Sequence, residues 1–205
     1  MSIVDTALLE TASDRLLAAV RELLTGKGIL TSTEISERIA VTDKGSPAQG
    51  ARMVARAWTD PDYRARMLAD ATAAAEEMGI MMRGMPPLGV LENTPSVHNL
   101  VVCTLCSCYP RAVLGYPPFW FKSAAYRARA VRDPRGLVAE WGTKLADGVK
   151  VRVVDSTADY RWMVLPMRPA GTAGWSAEQL AAIVREGDMI GVSVPDERAG
   201  VSVPG

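Results

Sequence analysis

The chain has 205 residues, 48% of them hydrophobic and 22% charged, enough to bury a core; at about 100–200 residues per domain this predicts one domain with an extension. Lysine plus arginine and aspartate plus glutamate each total 23, so no surplus of positive charge is available for a phosphate backbone or an anionic membrane, and a nucleic-acid partner is not expected. No apolar run approaches the ~18 residues a membrane span needs, and the opening MSIVDTALLETASDRLL lacks the basic start and apolar run of a signal peptide, so a cytoplasmic location is expected.

From Leu8 to Leu24 the positions Leu9, Ala12, Leu16, Ala19, Val20 and Leu23 recur at helical spacing until Gly26 and Gly28 stop them. Thr31 and Glu34 have the spacing of a capping box and open a short helix through Ile35 and Ile39, which the Gly45-Ser46-Pro47 break ends. A third helix is expected from Ala48 to Trp58, and Thr59-Asp60-Pro61 starts a fourth, alanine-rich one that ends at Gly79. Residues 1–85 therefore read as a helical arm, too poor in large apolar side chains for a core of its own and suited to lie against another chain.

Between Gly79 and Pro95 the sequence is rich in Met, Gly and Pro, and its texture changes afterwards, so residues 86–205 are assigned to a second domain. Strands are expected from Val97 to Cys103, around Val149, Val151 and Val153, from Arg161 to Leu165 and from Ile190 to Val194. Helices are expected around Tyr126 to Val131 and from the Ser176/Gln179 cap to about Arg185. Helices and strands in mixed order make the fold class α+β: a helical arm followed by a mixed metal-binding domain.

All three cysteines fall within CTLCSC, at Cys103, Cys106 and Cys108, a poor way to staple a fold and a good way to hold one ion. Zinc in a ribbon or knuckle needs a fourth side-chain ligand, but there is no other cysteine and the only histidine, His98, precedes the expected end of its strand. An iron–sulfur cluster lacks a ligand on the same count. A different geometry uses what is present: deprotonated amide nitrogens of Ser107 and Cys108 in one plane with the sulfurs of Cys106 and Cys108, Cys103 axial, and the site opposite Cys103 open. Such a donor set suits a trivalent low-spin ion, cobalt or iron, and its negative charge calls for a cation, for which Arg111 is nearest in sequence. A zinc half-site or a thiol redox pair remains the alternative at this point.

The string VVCTLCSCYP, Val101 to Pro110, resembles the metal-site signature of nitrile hydratase α subunits. The likeness continues through GARMVARAWTDP (Gly50 to Pro61), LENT (Leu91 to Thr94), VLGYPPFW (Val113 to Trp120), YRARAVRDPR (Tyr126 to Arg135), RPAGTAGWS (Arg168 to Ser176) and MIGV near the end. The resemblance implies a four-layer αββα fold and a hydro-lyase that adds water to a nitrile. It implies Cys103, Cys106 and Cys108 as sulfur ligands and Ser107 and Cys108 as amide-nitrogen ligands of one Co(III) per chain. Cys106 would be oxidised to a sulfinic acid and Cys108 to a sulfenic acid, with Cys106, Ser107 and Cys108 at the reacting centre. Thr104 favours cobalt over Fe(III), since the family's iron members typically carry serine there. The partners implied are a β-type subunit, as one chain or two, and a cobalt-loading activator protein.

Two departures bear on the substrate. Where ordinary members read CYPW this chain has Arg111, and the Met81 to Leu88 segment lacks the glutamine often found near the pocket. Both point to a polar substrate, such as the nucleoside nitrile toyocamycin, or to thiocyanate, the substrate of a hydrolase in the same superfamily. Tyr109, Arg111 and Trp120 are the expected pocket residues, with Phe119 and Tyr116 as further aromatics. His98 fits a hydrogen-bonded structural residue better than a general base, and Arg127, Arg129, Arg132 and Arg135 fit paired surface arginines better than an anion site.

Overall fold

The computed structural model describes residues 3–106 and 108–197, with residues 3–13 and 41–42 described by their backbone only. The chain divides into two compact units, residues 1–42 and 43–205. In the first, helix α1 (Ile3–Gly26) ends where Gly28 turns into the left-handed region at φ 64°, and α2 (Ser32–Asp43) follows. The capping box is formed: the Thr31 N–H donates to Glu34 Oε2 (2.7 Å) and the Glu34 N–H to Thr31 Oγ1 (3.1 Å). Leu16, Leu17 and Leu23 of α1 are 55–68% exposed, so among the described residues the apolar stripe of this helix is left uncovered.

The second unit opens with α3 (Pro47–Thr59), α4 (Pro61–Ala69) and α5 (Ala71–Glu77). The alanine-rich helix expected as one piece is two, because Asp70 adopts an extended conformation and its carboxylate accepts from the Ala73 N–H (3.0 Å), just as Asp60 accepts from Tyr63 (2.9 Å). Met53, Val54, Tyr63 and Met67 are buried in the main core, and the Trp58 indole donates to Pro166 O (2.8 Å). The arm boundary drawn at residue 85 and the division the contacts make at residue 42 therefore do not coincide: buried alanines, methionines and one tyrosine suffice to join α3–α5 to the strands.

Strand β1 (Leu88–Glu92) lies in the Met-, Gly- and Pro-rich stretch where the domain boundary is expected, and its Gly89 is needed: a Cβ there would meet the Trp162 ring at 2.4 Å. Strand β2 (Val97–Val102) leads into the cysteine loop, followed by α6 (Arg111–Leu114), α7 (Phe119–Lys122), α8 (Ala124–Arg132) and α9 (Pro134–Glu140). Then come β3 (Lys150–Asp155), β4 (Arg161–Leu165), α10 (Ala177–Ala182) and a 3-10 turn over Glu186–Met189. The Ser176/Gln179 capping box is present, although α10 stops three residues short of the expected end.

The strands form two parallel pairs. Leu88 faces Arg161 in β1–β4, and Val97 faces Lys150 in β2–β3. Helices α4 and α5 pack on β1, β2 touches both β1 and β4, and α8 and α9 pack on β2 and β3, which gives helix, strand, strand, helix in succession. The fold is α+β.

The strand expected at Ile190 to Val194 is not formed. Gly191, at φ 88°, turns the chain back so that Gly191 and Val192 both donate to Gly187 O (2.9 and 3.0 Å). One backbone bond, Val101 N–H to Ile190 O (2.8 Å), and one from the His98 side chain to Gly191 O (2.7 Å) link this turn to β2.

Candidate metal centre

Both ends of the cysteine loop are set by secondary structure. Cys103 follows the last residue of β2, and Pro110 starts α6 by accepting from the Val113 and Leu114 N–H groups. The carboxyl end of the neighbouring β3 supplies Asp155, which accepts from the Thr104 N–H (3.0 Å) and from the Thr104 hydroxyl. From α8, Arg127 Nη1 donates to Thr104 O (3.2 Å), and the Tyr126 hydroxyl donates to Val101 O (2.6 Å) one turn away. Thr104 is thus the residue by which strand and helix grip the loop.

Within that grip the three sulfurs converge. The Cys103, Cys106 and Cys108 Sγ atoms all lie within 4.8 Å of one another, with Cys103 to Cys106 at 3.5 Å and Cys106 to Cys108 at 3.1 Å. These separations far exceed the ~2.05 Å of a disulfide and suit donors facing one ion. Cys103 and Cys108 are buried, whereas Cys106 and Leu105 are exposed at the loop tip. The Cys106 N–H donates to Cys103 Sγ (3.3 Å), while among the described residues the Cys108 N–H has no acceptor. Soft sulfurs without a fourth cysteine or a histidine beside them, next to an unspent backbone nitrogen, fit a thiolate–amide donor set better than tetrahedral zinc. Ser107 lies outside the described residues, so its expected nitrogen ligand stands on the resemblance alone.

Burial, reinforced by the neighbouring sulfurs, pushes the Cys108 thiol up to about 12, against the opposing charge of Arg161. Beside Cys108, the Tyr109 hydroxyl donates to Glu186 Oε1 (2.5 Å), and its ring packs edge-on to Phe121 with centroids 4.9 Å apart. Burial raises both the Tyr109 hydroxyl and the Glu186 carboxyl above their usual ranges, and the hydrogen bond between them braces the wall behind the loop.

Cys106 and Cys108 open into a cavity of ≈ 300 Å³ whose walls include Met82, Met85, Leu88, Tyr109, Arg111 and Arg161. Tyr109 and Arg111 thus take the expected place at the pocket. Trp120 does not line this cavity: it packs edge-on to Phe121, Tyr126 and Trp141, with centroids 4.7–5.9 Å apart, in the layer beneath. Arg111 is exposed, its guanidinium 5.2 Å from the ring of Tyr116, whose hydroxyl donates to Asp43 (2.8 Å). Leu88, Arg161 and Glu186 carry no sequence motif that would single them out; the β1–β4 register reveals the first two and the hydrogen bond from Tyr109 reveals the third.

The other tempting residues resolve as structure. Arg129 pairs with Asp133 and Glu140, and Arg135 donates to carbonyls in the turn before β3, so the arginine series does not converge on one point. His98 is buried; Nε2 donates to Gly191 O (2.7 Å), which leaves Nδ1 to accept from the Asn93 amide (3.3 Å). Burial lowers its proton affinity. With the folded pKa below the unfolded ~6.5, the unfolded chain takes up the proton first as pH falls. Stability is therefore full above that value and declines below it. Urea midpoints measured from pH 7.5 to 5.5 are expected to drop in the parent protein and to flatten in His98→Gln; equal slopes would show that another group governs the window.

Three comparisons bear on this arrangement. The family described as "Nitrile hydratase, alpha chain" matches residues 11–193. The low-molecular weight cobalt-containing nitrile hydratase subunit alpha of Rhodococcus rhodochrous is 51% identical over 178 residues, 86% of each chain. Thiocyanate hydrolase subunit gamma of Thiobacillus thioparus is 40% identical over 196 residues, 90% of this chain and 80% of that one. A solved recombinant thiocyanate hydrolase comprising partially modified cobalt centers superposes with a TM-score of 0.86 at 39% identity, covering 93% of both chains.

Proposed function

Because the chain belongs to the nitrile hydratase alpha-chain family, we propose that it is the metal-carrying α-type subunit of a cobalt nitrile hydratase, hydrating a nitrile to the amide. The observation that carries this reading is the convergence of three sulfurs, and no fourth side-chain ligand among the described residues, at the wall of one cavity. Cys103, Cys106 and Cys108, with the backbone nitrogens of Ser107 and Cys108, would hold one Co(III). Bound there, the ion supplies Lewis acidity that polarises the nitrile carbon toward an attacking oxygen.

This chain's residues do the rest. Oxidised after translation by an external oxidant to a sulfinic acid at Cys106 and a sulfenic acid at Cys108, the loop would present oxygen atoms to the cavity; either a water adds to the nitrile carbon, its protons ending on the amide nitrogen, or the Cys108 oxygen adds and a water then replaces it, so that nitrile and water sum to the amide. Cys103, buried and outside the cavity wall, fixes the loop's base. Asp155 and Arg127 keep the loop closed through Thr104, and Tyr109 with Glu186 seals the wall behind Cys108. The apolar lining from Met82, Met85 and Leu88 keeps bulk water from competing with the nitrile.

A β-type subunit, as one chain or two, is the expected partner. The exposed Leu105 beside the claw and the uncovered stripe of α1 supply surfaces for it, and the arm of residues 1–85 is proposed to contribute to that contact. An activator protein is proposed to load the cobalt in the cytoplasm; among the described residues no helix is long and apolar enough to cross a membrane.

The substrate reading depends on Arg111 and Arg161, two cations on the wall of one cavity. They suit a polar nitrile, of which toyocamycin is one type, and they also favour a second reading, an anionic substrate such as thiocyanate. The complex co-expressed with its partner is expected to contain about one cobalt per chain, to show added oxygen on the loop by intact mass, and to convert organic nitriles. Conversion of thiocyanate but of no organic nitrile selects the second reading. Stoichiometric zinc, unoxidised cysteines and no conversion of either would sink both.

A further inference from the structure

Nothing in the sequence singles out Arg161, and no role is assigned to it by likeness to other chains; its surroundings in the fold do. It opens β4, and its register partner is Leu88 of β1, so the two side chains leave the ladder on the same face. Both enter the wall of the cavity that Cys106 and Cys108 share. The guanidinium is half-buried, its Nη1 is shut off from solvent, and among the described residues that nitrogen has no hydrogen-bond acceptor.

Several other arginines of this unit are matched, and where a buried nitrogen likewise lacks an acceptor, at Arg127 Nε and Arg129 Nε, the same guanidinium donates through another nitrogen, to Thr104 O and to Asp133 and Glu140. Arg56, Arg64, Arg66, Arg129 and Arg185 each have a carboxylate within 4.0 Å, and Arg168 donates to Thr172 and to Trp58 O. A buried guanidinium nitrogen without an acceptor is costly, because it has given up water and received nothing. Its position is intelligible when the cavity holds an anion that the free polypeptide does not display. On the functional reading above, such an anion is present: thiolates, amidates and oxygenated sulfurs around a trivalent ion leave a net negative charge at Cys106 and Cys108.

Arg111, the cation nearest in sequence, is less suited to balance that charge. It is exposed, and its guanidinium lies over the Tyr116 ring, where solvent and ions screen it. Arg161 sits where the dielectric is lower and its field is correspondingly stronger.

We propose that Arg161 is the claw's counter-cation from within this chain: a positioning residue whose guanidinium donates to the oxygenated sulfur edge at Cys106 and Cys108 and holds the charged centre in the cavity wall. The inference rests on the functional reading, and its test separates the two.

The co-expressed complex is prepared as the parent, Arg161→Gln and Arg161→Lys, and each is measured for cobalt retained against a chelator, oxygenation of the loop by intact mass, the sulfur-to-cobalt absorption band, and kcat and KM for both a neutral nitrile and thiocyanate. Loss of an outer partner of a metal site weakens retention by about ten- to a hundredfold. That loss is expected for Arg161→Gln, together with incomplete oxygenation, a shifted band and a fall mainly in kcat; Arg161→Lys is expected to keep most of the cobalt. Should Arg161→Gln fail to assemble, Arg161→Leu, which removes the charge without leaving a polar group buried, is read in its place.

Cobalt retention, oxygenation and absorption identical to the parent in the neutral variant overturn the inference. So does an effect confined to KM for thiocyanate, which would make Arg161 a reader of substrate charge, and so does a lysine variant as cobalt-poor as the glutamine one. A cobalt-loaded, active parent with an unaffected Arg161→Gln removes this inference alone; a parent complex without cobalt or activity removes the functional reading and this inference with it.

Discussion

Replacing Cys103 by alanine is expected to empty the metal centre and to lower turnover by more than about a hundredfold. That factor is what removal of a mere outer partner reaches at its upper end, whereas Cys103, on the proposed function, supplies a donor atom. Its Sγ lies 3.5 Å from Cys106 Sγ and accepts the Cys106 N–H at 3.3 Å, so the substitution removes a ligand and loosens the loop in one step. The side chain lost is small, and the core around it keeps Val101, Val102 and Tyr109, so the complex should still assemble. Cobalt per chain by elemental analysis, read beside nitrile turnover and thermal melting, checks this. A variant that melts like the parent and retains both cobalt and activity would refute the assignment of Cys103 as a ligand.

Gly191→Ala is expected to be the most damaging single-methyl change, destabilising the unit by about 4 kcal/mol or more, a size reserved for strain at special backbone positions and for overpacking. Its φ of 88° is a conformation that an L side chain rarely adopts, and a Cβ built there meets Asn99 O at 1.9 Å and Asn99 C at 2.9 Å. Those are backbone atoms of β2, which cannot swing aside as a side chain tip can. The same residue presents its carbonyl to His98, so relief of the clash would also cost the histidine its partner. A fall in melting temperature of roughly 10 °C or more follows from the usual scaling for a domain of this size; a shift of one or two degrees would mean that the turn relaxes freely.

Much of this architecture is legible in the sequence because it is written locally. Thr31 with Glu34 and Ser176 with Gln179 are capping boxes whose donors and acceptors lie three residues apart, and the structure closes both. Val97 to Val102 and Arg161 to Leu165 are strands where β-branched and apolar runs predict them. The claw is legible for the same reason: all its sulfurs fall within one short loop.

What escapes is decided at a distance. Leu88–Glu92 forms a strand despite its glycine because Arg161–Leu165 and the Trp162 ring lie beside it. Ile190 to Val194 has the composition of a strand, yet Gly191 bends it so that the backbone of β2 can approach. Trp120 is an aromatic near the claw in sequence, but α7 turns it into a cluster with Tyr126 and Trp141 instead of the cavity. Helix α9 is a different case, since Asp133-Pro134 repeats the Asp60-Pro61 start signal and its carboxylate accepts from the Gly136 N–H (3.0 Å). Arg161 belongs to the first kind: only strand register brings it to Cys106 and Cys108.

The grip of Asp155 on Thr104 carries a kinetic consequence. The two residues are 51 positions apart, and β3, which bears Asp155, joins β2 only after α6 to α9 have been made between them. Non-local parallel pairing is the slow part of folding, because the entropy of closing a long loop is spent before the contacts repay it. The sulfurs of CTLCSC are therefore expected to converge on one point only once the crossover is complete. On the proposed function this sets an expected order for maturation, in which the shape of the chain precedes its metal.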